Sequence, residues 1–281
     1  MSGADAFFVT TSSGKIRVQR SGDPSRRAVV CVHGISSNAK VFAPLSRALA
    51  ANGRQVLALD LRGRGLSEKS RSGTYGWLRH AHDVFETADA LGLNSFDVVG
   101  HSMGALVGMN AVAVDTRRRI GRLVLVDGLG RPSASAALTL MRSARRLTWS
   151  YDNPDQYVRA VKNLGLAIPW NDHWERHYRY EVEPAAGGGI RVRTQRCALY
   201  EDTMYAAIHS PRKLWSSLHL PVLLLRAAHP LGDSSGHIVT EGDLAAFLKS
   251  TPSARAQEIE ANHFGIVMHD DSIRAIGRFL C

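Results

Sequence analysis

Cysteine is scarce in this chain: three in 281 residues, Cys31, Cys197 and Cys281, far apart and odd in number. That pattern excludes a disulfide framework and offers no zinc-ligand spacing. A buried, inert thiol is expected for Cys31, which sits in an apolar run, and a reducing, cytoplasmic setting is expected for the protein. No stretch of about 18 apolar residues occurs, so no membrane-spanning helix and no membrane partner are expected. The segment Met1 to Ser13 lacks a cationic start and an apolar run, so a secretory signal is not expected there. A concentrated basic tract is also missing, although the net charge is +10. The one tight cluster, Arg117, Arg118, Arg119 and Arg122, reads as a helix end and the turn before a strand, where cations suit the helix dipole. No nucleic-acid motif accompanies it, so no nucleic-acid partner is expected.

What the chain does have is an ordinary globular balance, 44% hydrophobic and 21% charged. Its length suits one large α/β domain, with or without a small lid. Residues 5–11 and 15–20 read as two β segments around a turn at Ser12–Gly14. Val29–Val32 is a continuous β-branched run, the mark of a strand buried on both faces. Gln55–Leu61, Ser95–Val99 and Arg122–Val126 read as further strands, separated by helical spacing over 41–51, 77–91 and 103–114. Such alternation predicts a parallel sheet covered by helices, with its ligand crevice at the C-terminal strand ends. From 130 to 216 no buried strand is evident. This part reads as helical and turn-like, rich in Arg and aromatics, with a loop or hinge at Pro184–Gly189. The sheet resumes at Pro221–Leu225 and Ala256–Ile259, and a helix over 271–280 closes the chain.

Gly100-His101-Ser102-Met103-Gly104 fits G-x-S-x-G and falls between a strand and a helix, the context of a nucleophile elbow. A serine there projects its hydroxyl from a sharp turn, and the glycines leave room for close packing. A serine hydroxyl needs a base and oxyanion donors. The backbone N–H of Met103, opening the helix, is one candidate donor. The N–H of Ile35, in the loop His33–Gly34–Ile35, is the other.

Together Val32-His33-Gly34, Asp60-Leu61-Arg62-Gly63-Arg64-Gly65-Leu66-Ser67, the elbow at 100–104 and Asn262-His263-Phe264 resemble the α/β-hydrolase superfamily. The resemblance implies a mostly parallel eight-stranded sheet flanked by helices, with a helical lid inserted between strands 6 and 7. The expected division is a core of 1–129 and 217–281 and a lid of 130–216. It also implies that His263, after the last strand, is the general base. For the acid two places are known in the family: after the strand that follows the lid, where Asp233 lies somewhat late in a Gly/Ser-rich loop, or at the end of the strand before the lid, where Asp127 lies. Asp127 is preferred, with Asp233 as the alternative. His33 and His101 are expected to shape loops rather than react, and Arg62 to pin the Asp60–Ser67 loop.

Such a set performs acyl transfer through an acyl-enzyme on Ser102, with esters, lactones or thioesters as substrates. No cofactor and no metal are implied. Carbon–carbon hydrolysis of a diketone by the same residues, and a ligand receptor built on the same fold, are the alternatives. In the lid, Trp149, Tyr151, Trp170 and Trp174 could line an apolar pocket and Arg142, Arg145 or Arg146 could meet an anion. The same residues could equally serve only to pack and cover the lid. The expected partner is a small-molecule substrate, medium-sized and partly apolar, and the expected state a monomer or homodimer.

Overall fold

The computed structural model describes residues 5–231 and 236–280. Asp233 and Cys281 lie outside the described residues. An antiparallel hairpin, β1 (Asp5–Thr11) and β2 (Gly14–Ser21), opens the chain. Strands and helices then alternate: β3 (Ala28–Val32), α1 (Ala43–Ala51), β4 (Gln55–Leu59), α2 (Trp77–Ala90), β5 (Phe96–His101), α3 (Met103–Val114) and β6 (Ile120–Val126). A long connection follows, termed here the insert. It holds α4 (Ala134–Ala144), α5 (Pro154–Asn163), α6 (Asp172–Tyr180), a small hairpin of β7 (Val182–Pro184) and β8 (Ile190–Val192), and α7 (Arg196–Ile208). The sheet resumes with β9 (Val222–Ala227), and α8 (Glu241–Ser250), β10 (Ala254–Ile259) and α9 (Asp270–Leu280) complete the order.

Eight strands form one sheet in the order β1-β2-β4-β3-β5-β6-β9-β10. Pairing is antiparallel for β1–β2 and β2–β4 and parallel for every other neighbour. The apolar runs explain the arrangement, since every residue of β3, β4, β5 and β9 is buried. Alternate residues feed two layers, as a period of two requires. Val29, Cys31, Val56 and Ala58 pack with Leu45 and Leu49 of α1 and Ile276 and Leu280 of α9. Val30, Val32, Leu57 and Leu59 pack with Trp77 and Val84 of α2 and Met109 of α3. The insert joins the first layer through Tyr151, Tyr157, Trp174 and Tyr178.

Two local expectations change and one helix is new. The stretch read as a loop or hinge at 184–189 is the turn of the β7–β8 hairpin, closed by bonds from Ala185 N to Gly189 O and Gly188 N to Ala185 O, both 3.1 Å. The arginine cluster is not a helix end. Helix α3 stops at Val114, and Asp115 captures the amide of Ile120 at 2.8 Å, so Arg117–Arg119 form the turn and Arg122 lies within β6. Helix α8 has no counterpart in the sequence reading. Its signal is Thr240, whose hydroxyl accepts from Asp243 N at 3.1 Å as an N-cap. Among the described residues no helix is long and apolar enough to cross a membrane.

Candidate active site

Strands β4 and β5 lie on opposite sides of β3, so the winding of the sheet reverses there and a crevice opens at the C-terminal strand ends. His33–Gly34 leaves β3, Ser102 leaves β5 and Asp127 leaves β6. The Ser102 backbone is held at φ 56° and ψ −120°, a region that costs a non-glycine residue on the order of 1–3 kcal/mol. Hydrogen bonds from Ser102 N to Val126 O and from Ala105 N to Ser102 O, both 2.9 Å, hold it there. Glycines make the turn sterically possible. A Cβ on Gly100 would overlap Gly104 O, one on Gly104 would overlap Val32 O, and one on Gly128 would overlap Ser102 O.

Asp127 is itself at φ 44° and closes β6, its amide bonded to Leu225 O at 2.8 Å. Its two carboxylate oxygens have different partners. Oδ1 accepts from Ala227 N at 3.1 Å, and Oδ2 faces His263 Nδ1 at 2.8 Å, with both side chains buried. A carboxylate acceptor places the imidazole proton on Nδ1, which leaves Nε2 for proton exchange. The loop carrying His263 is pinned from two sides. His101 Nε2 bonds the His263 carbonyl at 3.0 Å. Asn262 Oδ1 accepts from Phe264 N (3.1 Å) and Gly265 N (2.8 Å), while its Nδ2 donates to Leu166 O of the insert at 2.9 Å. Ser102, His101 and His263 line one cleft.

The loop after β3 forms the opposite lip, and Gly34 and Ile35 line the cleft. His33 Nε2 accepts from Leu61 N at 3.0 Å, so its proton sits on Nδ1, which donates to Gly34 O at 2.8 Å. Burial pushes the His33 pKa down to about 3, which keeps the ring neutral. Burial does the same to His101, also to about 3. Met103 is the first residue of α3, where helix geometry leaves the amides without intrahelical acceptors.

The insert closes the cleft with Leu140, Arg146, Trp174, His177 and Tyr178 and leaves about 40 Å³, room for a few water molecules. Of the four aromatics singled out in the sequence, only Trp174 lines it. Trp170 stacks behind on Tyr178 at 5.7 Å, Tyr151 is buried elsewhere in the insert, and Trp149 is 47% exposed. Of the three arginines, Arg142 and Arg145 are exposed and Arg146 alone lines the cleft. Its charge is already matched: Nη2 lies 3.2 Å from Glu181 Oε1, and Tyr157 OH donates to the same carboxylate. His177 is a buried wall of the cleft, and burial takes its pKa to about 3. Its signal was available: Trp174, His177 and Tyr178 stand at i, i+3 and i+4 and so share one helix face. Burial likewise raises Tyr178, to about 12. Arg62 pins its loop as expected, with Nε and Nη2 on Asp83 at 2.6 and 2.7 Å. Among the described residues no group of three or more His, Cys, Asp or Glu converges as a metal site.

Comparison with known proteins agrees with this architecture. The alpha/beta hydrolase fold family matches residues 27–270. The protein named carbamate hydrolase RutD of Variovorax paradoxus (strain S110) is 32% identical over 164 residues, 58% of this chain and 60% of its own length. A serine hydrolase-like protein of Danio rerio is 26% identical over 97% of this chain and 87% of its own length. Among solved structures, E-2-(acetamidomethylene)succinate hydrolase superposes with a TM-score of 0.87 at 22% identity, covering 99% of both chains. This last likeness is one of fold.

Proposed function

The chain belongs to the α/β-hydrolase fold family, and within it we propose a serine hydrolase that cleaves a small carboxylic acid derivative through an acyl-enzyme on Ser102. His263 Nε2 takes the proton as Ser102 Oγ attacks the carbonyl, and Asp127 holds the imidazole and balances the imidazolium. The tetrahedral oxyanion is received by the amides of Ile35 and Met103. His263 returns the proton to the leaving group, then activates water to release the acid. The observation that carries this reading is the buried 2.8 Å contact of His263 with Asp127, on the cleft that also exposes a strained Ser102.

Esters, lactones and thioesters fit this chemistry. Two similar proteins bear the names of a carbamate hydrolase and an acetamidomethylene-succinate hydrolase, which brings acyl–nitrogen bonds into the same class. The narrow cleft favours a compact acyl group, and a medium-sized one requires Leu140 to give way. The insert over 130–216 then serves as the lid of the 1–129 and 217–281 core. The test is labelling with a fluorophosphonate followed by intact mass, beside Ser102→Ala. Rapid single labelling that vanishes in the variant supports the reading. Folded protein that stays unlabelled overturns it and favours a binding role.

A further inference from the structure

The loop that faces Ser102 offers three successive carbonyls, and each is held by a different buried side chain. Gly34 O accepts from His33 Nδ1 at 2.8 Å, Ile35 O from Arg64 Nε at 3.1 Å, and Ser36 O from Arg146 Nη2 at 3.1 Å. Two of these three donors are guanidinium groups, and both are paired to carboxylates of the insert. Arg64 Nη2 lies 2.6 Å from Asp202 Oδ2 on α7, with both side chains fully buried. Arg146 Nη2 lies 3.2 Å from Glu181 at the end of α6, with both again buried. The other Arg64 hydrogen bonds go to Arg62 O (3.2 Å) and Ala198 O (3.4 Å), so the side chain bridges the loop after β4, the loop after β3 and α7. Asp202 is further held by His80 Nε2 at 3.0 Å.

We propose that Arg64 and Arg146 are positioning residues that hold the 34–36 loop in register with Ser102, and that the hold is conditional on the insert being docked, because the insert supplies Asp202 as the counter-ion of Arg64 and carries Arg146, with its partner Glu181, itself. The inference rests on the serine-hydrolase reading above. A peptide plane is rigid, so fixing a carbonyl fixes the amide of the next residue. His33 therefore sets the Ile35 N–H, and the two arginines stop the following planes from rotating and carrying it away. A buried guanidinium is tolerable only while its counter-ion is in place. Withdrawing α7 would strand Arg64 and Asp202 at once. The loop is thus ordered together with closure of the cleft, and a site with the insert displaced has a loosened oxyanion lip.

Arg64→Lys keeps a cation opposite Asp202 but removes the donor to Ile35 O, and Asp202→Asn removes the counter-charge. Each is assayed by fluorophosphonate labelling over a range of concentrations, which separates the limiting rate from the half-saturating concentration. Hydrogen exchange over 33–38 and thermal unfolding accompany it. The expected result is a limiting rate lower by about 10–100-fold, since one oxyanion donor is worth about 100–1,000-fold when lost outright, with little change in half-saturation and faster exchange at 33–38. Should Arg64→Lys fail to fold, Asp202→Asn and Glu181→Gln carry the same readouts. Variants that are less stable yet label at the wild-type limiting rate, or keep wild-type exchange at 33–38, overturn the inference alone. Wild-type protein that does not label overturns the hydrolase reading and this inference with it.

Discussion

His263 Nδ1 lies 2.8 Å from one oxygen of Asp127, while the other oxygen of that carboxylate is occupied by the Ala227 amide. The carboxylate therefore has one oxygen for the sheet and one for the imidazole. Asp127→Asn keeps the shape but can present an N–H to Nδ1, which selects the wrong tautomer. Turnover of p-nitrophenyl acetate is expected to fall by about 10,000-fold, the size seen for such a swap in another serine hydrolase, with KM little changed. Asp233→Asn is expected to retain most activity. The opposite pair of results would assign the acid to Asp233.

Two glycines near Ser102 separate stability from function. A Cβ on Gly104 would strike the Val32 carbonyl, which is backbone and cannot step aside. Gly104→Ala is expected to lower unfolding free energy by at least about 1–3 kcal/mol. On Gly34 the added carbon would meet Ser102 Cβ at 3.2 Å and Oγ at 3.6 Å. There a shift of a few tenths of an ångström suffices, so Gly34→Ala is expected to fold well and lose turnover. Urea unfolding and p-nitrophenyl acetate kinetics on both variants check the contrast. Equal losses of stability in the two would refute it.

The contrast also shows what a sequence exposes and what it hides. Buried strands such as Val29–Val32 and the elbow at 100–104 are legible because their chemistry is local: a β-branched run, and glycines where backbones touch. Asp127 and His263 are 136 positions apart and meet only through strand order, so sequence spacing alone does not pair them. The role of Arg64 is hidden for the same reason, since its counter-ion stands 138 positions away on α7. His177 was legible in principle, from its face on α6, but that face has a meaning only once the insert sits over the cleft.

Three buried histidines give stability a defined pH dependence. Burial takes His33, His101 and His177 from 6.5 to about 3. Above pH 6.5 the rings are neutral in both states and stability is complete. Below it the unfolded chain takes up protons that the folded chain refuses, so stability falls from pH 6.5 towards 3. Each ring contributes up to about 1.4 kcal/mol per pH unit, and three together about 4. Glu181, raised by burial, works in the opposite direction and favours the folded state as the pH falls. Urea unfolding at pH 7, 6 and 5 is expected to show the steep loss, and His177→Gln to flatten it. A stability that is level from pH 7 to 5 would contradict the buried neutral rings.

The size of the cleft makes the acyl group the readable part of the substrate. Leu140 lines the cleft from α4 and is only partly buried, so shortening it opens space at small cost to the core. The wild-type protein is expected to favour acetyl over hexanoyl esters, and Leu140→Ala to shift the ratio of their kcat/KM values towards hexanoyl by about tenfold, the worth of a methylene or so of pocket. A p-nitrophenyl ester series on the two proteins measures it. Trp174, although also in the wall, is a poorer probe. Its ring stacks on Tyr178 at 5.8 Å and is 2% exposed, so truncation would disturb the packing of the insert along with the cleft. If Leu140→Ala leaves the ratio unchanged while hexanoyl esters are already good substrates, the insert must open to admit them. The clamps on Arg64 and Arg146 would then have to re-form on each turnover.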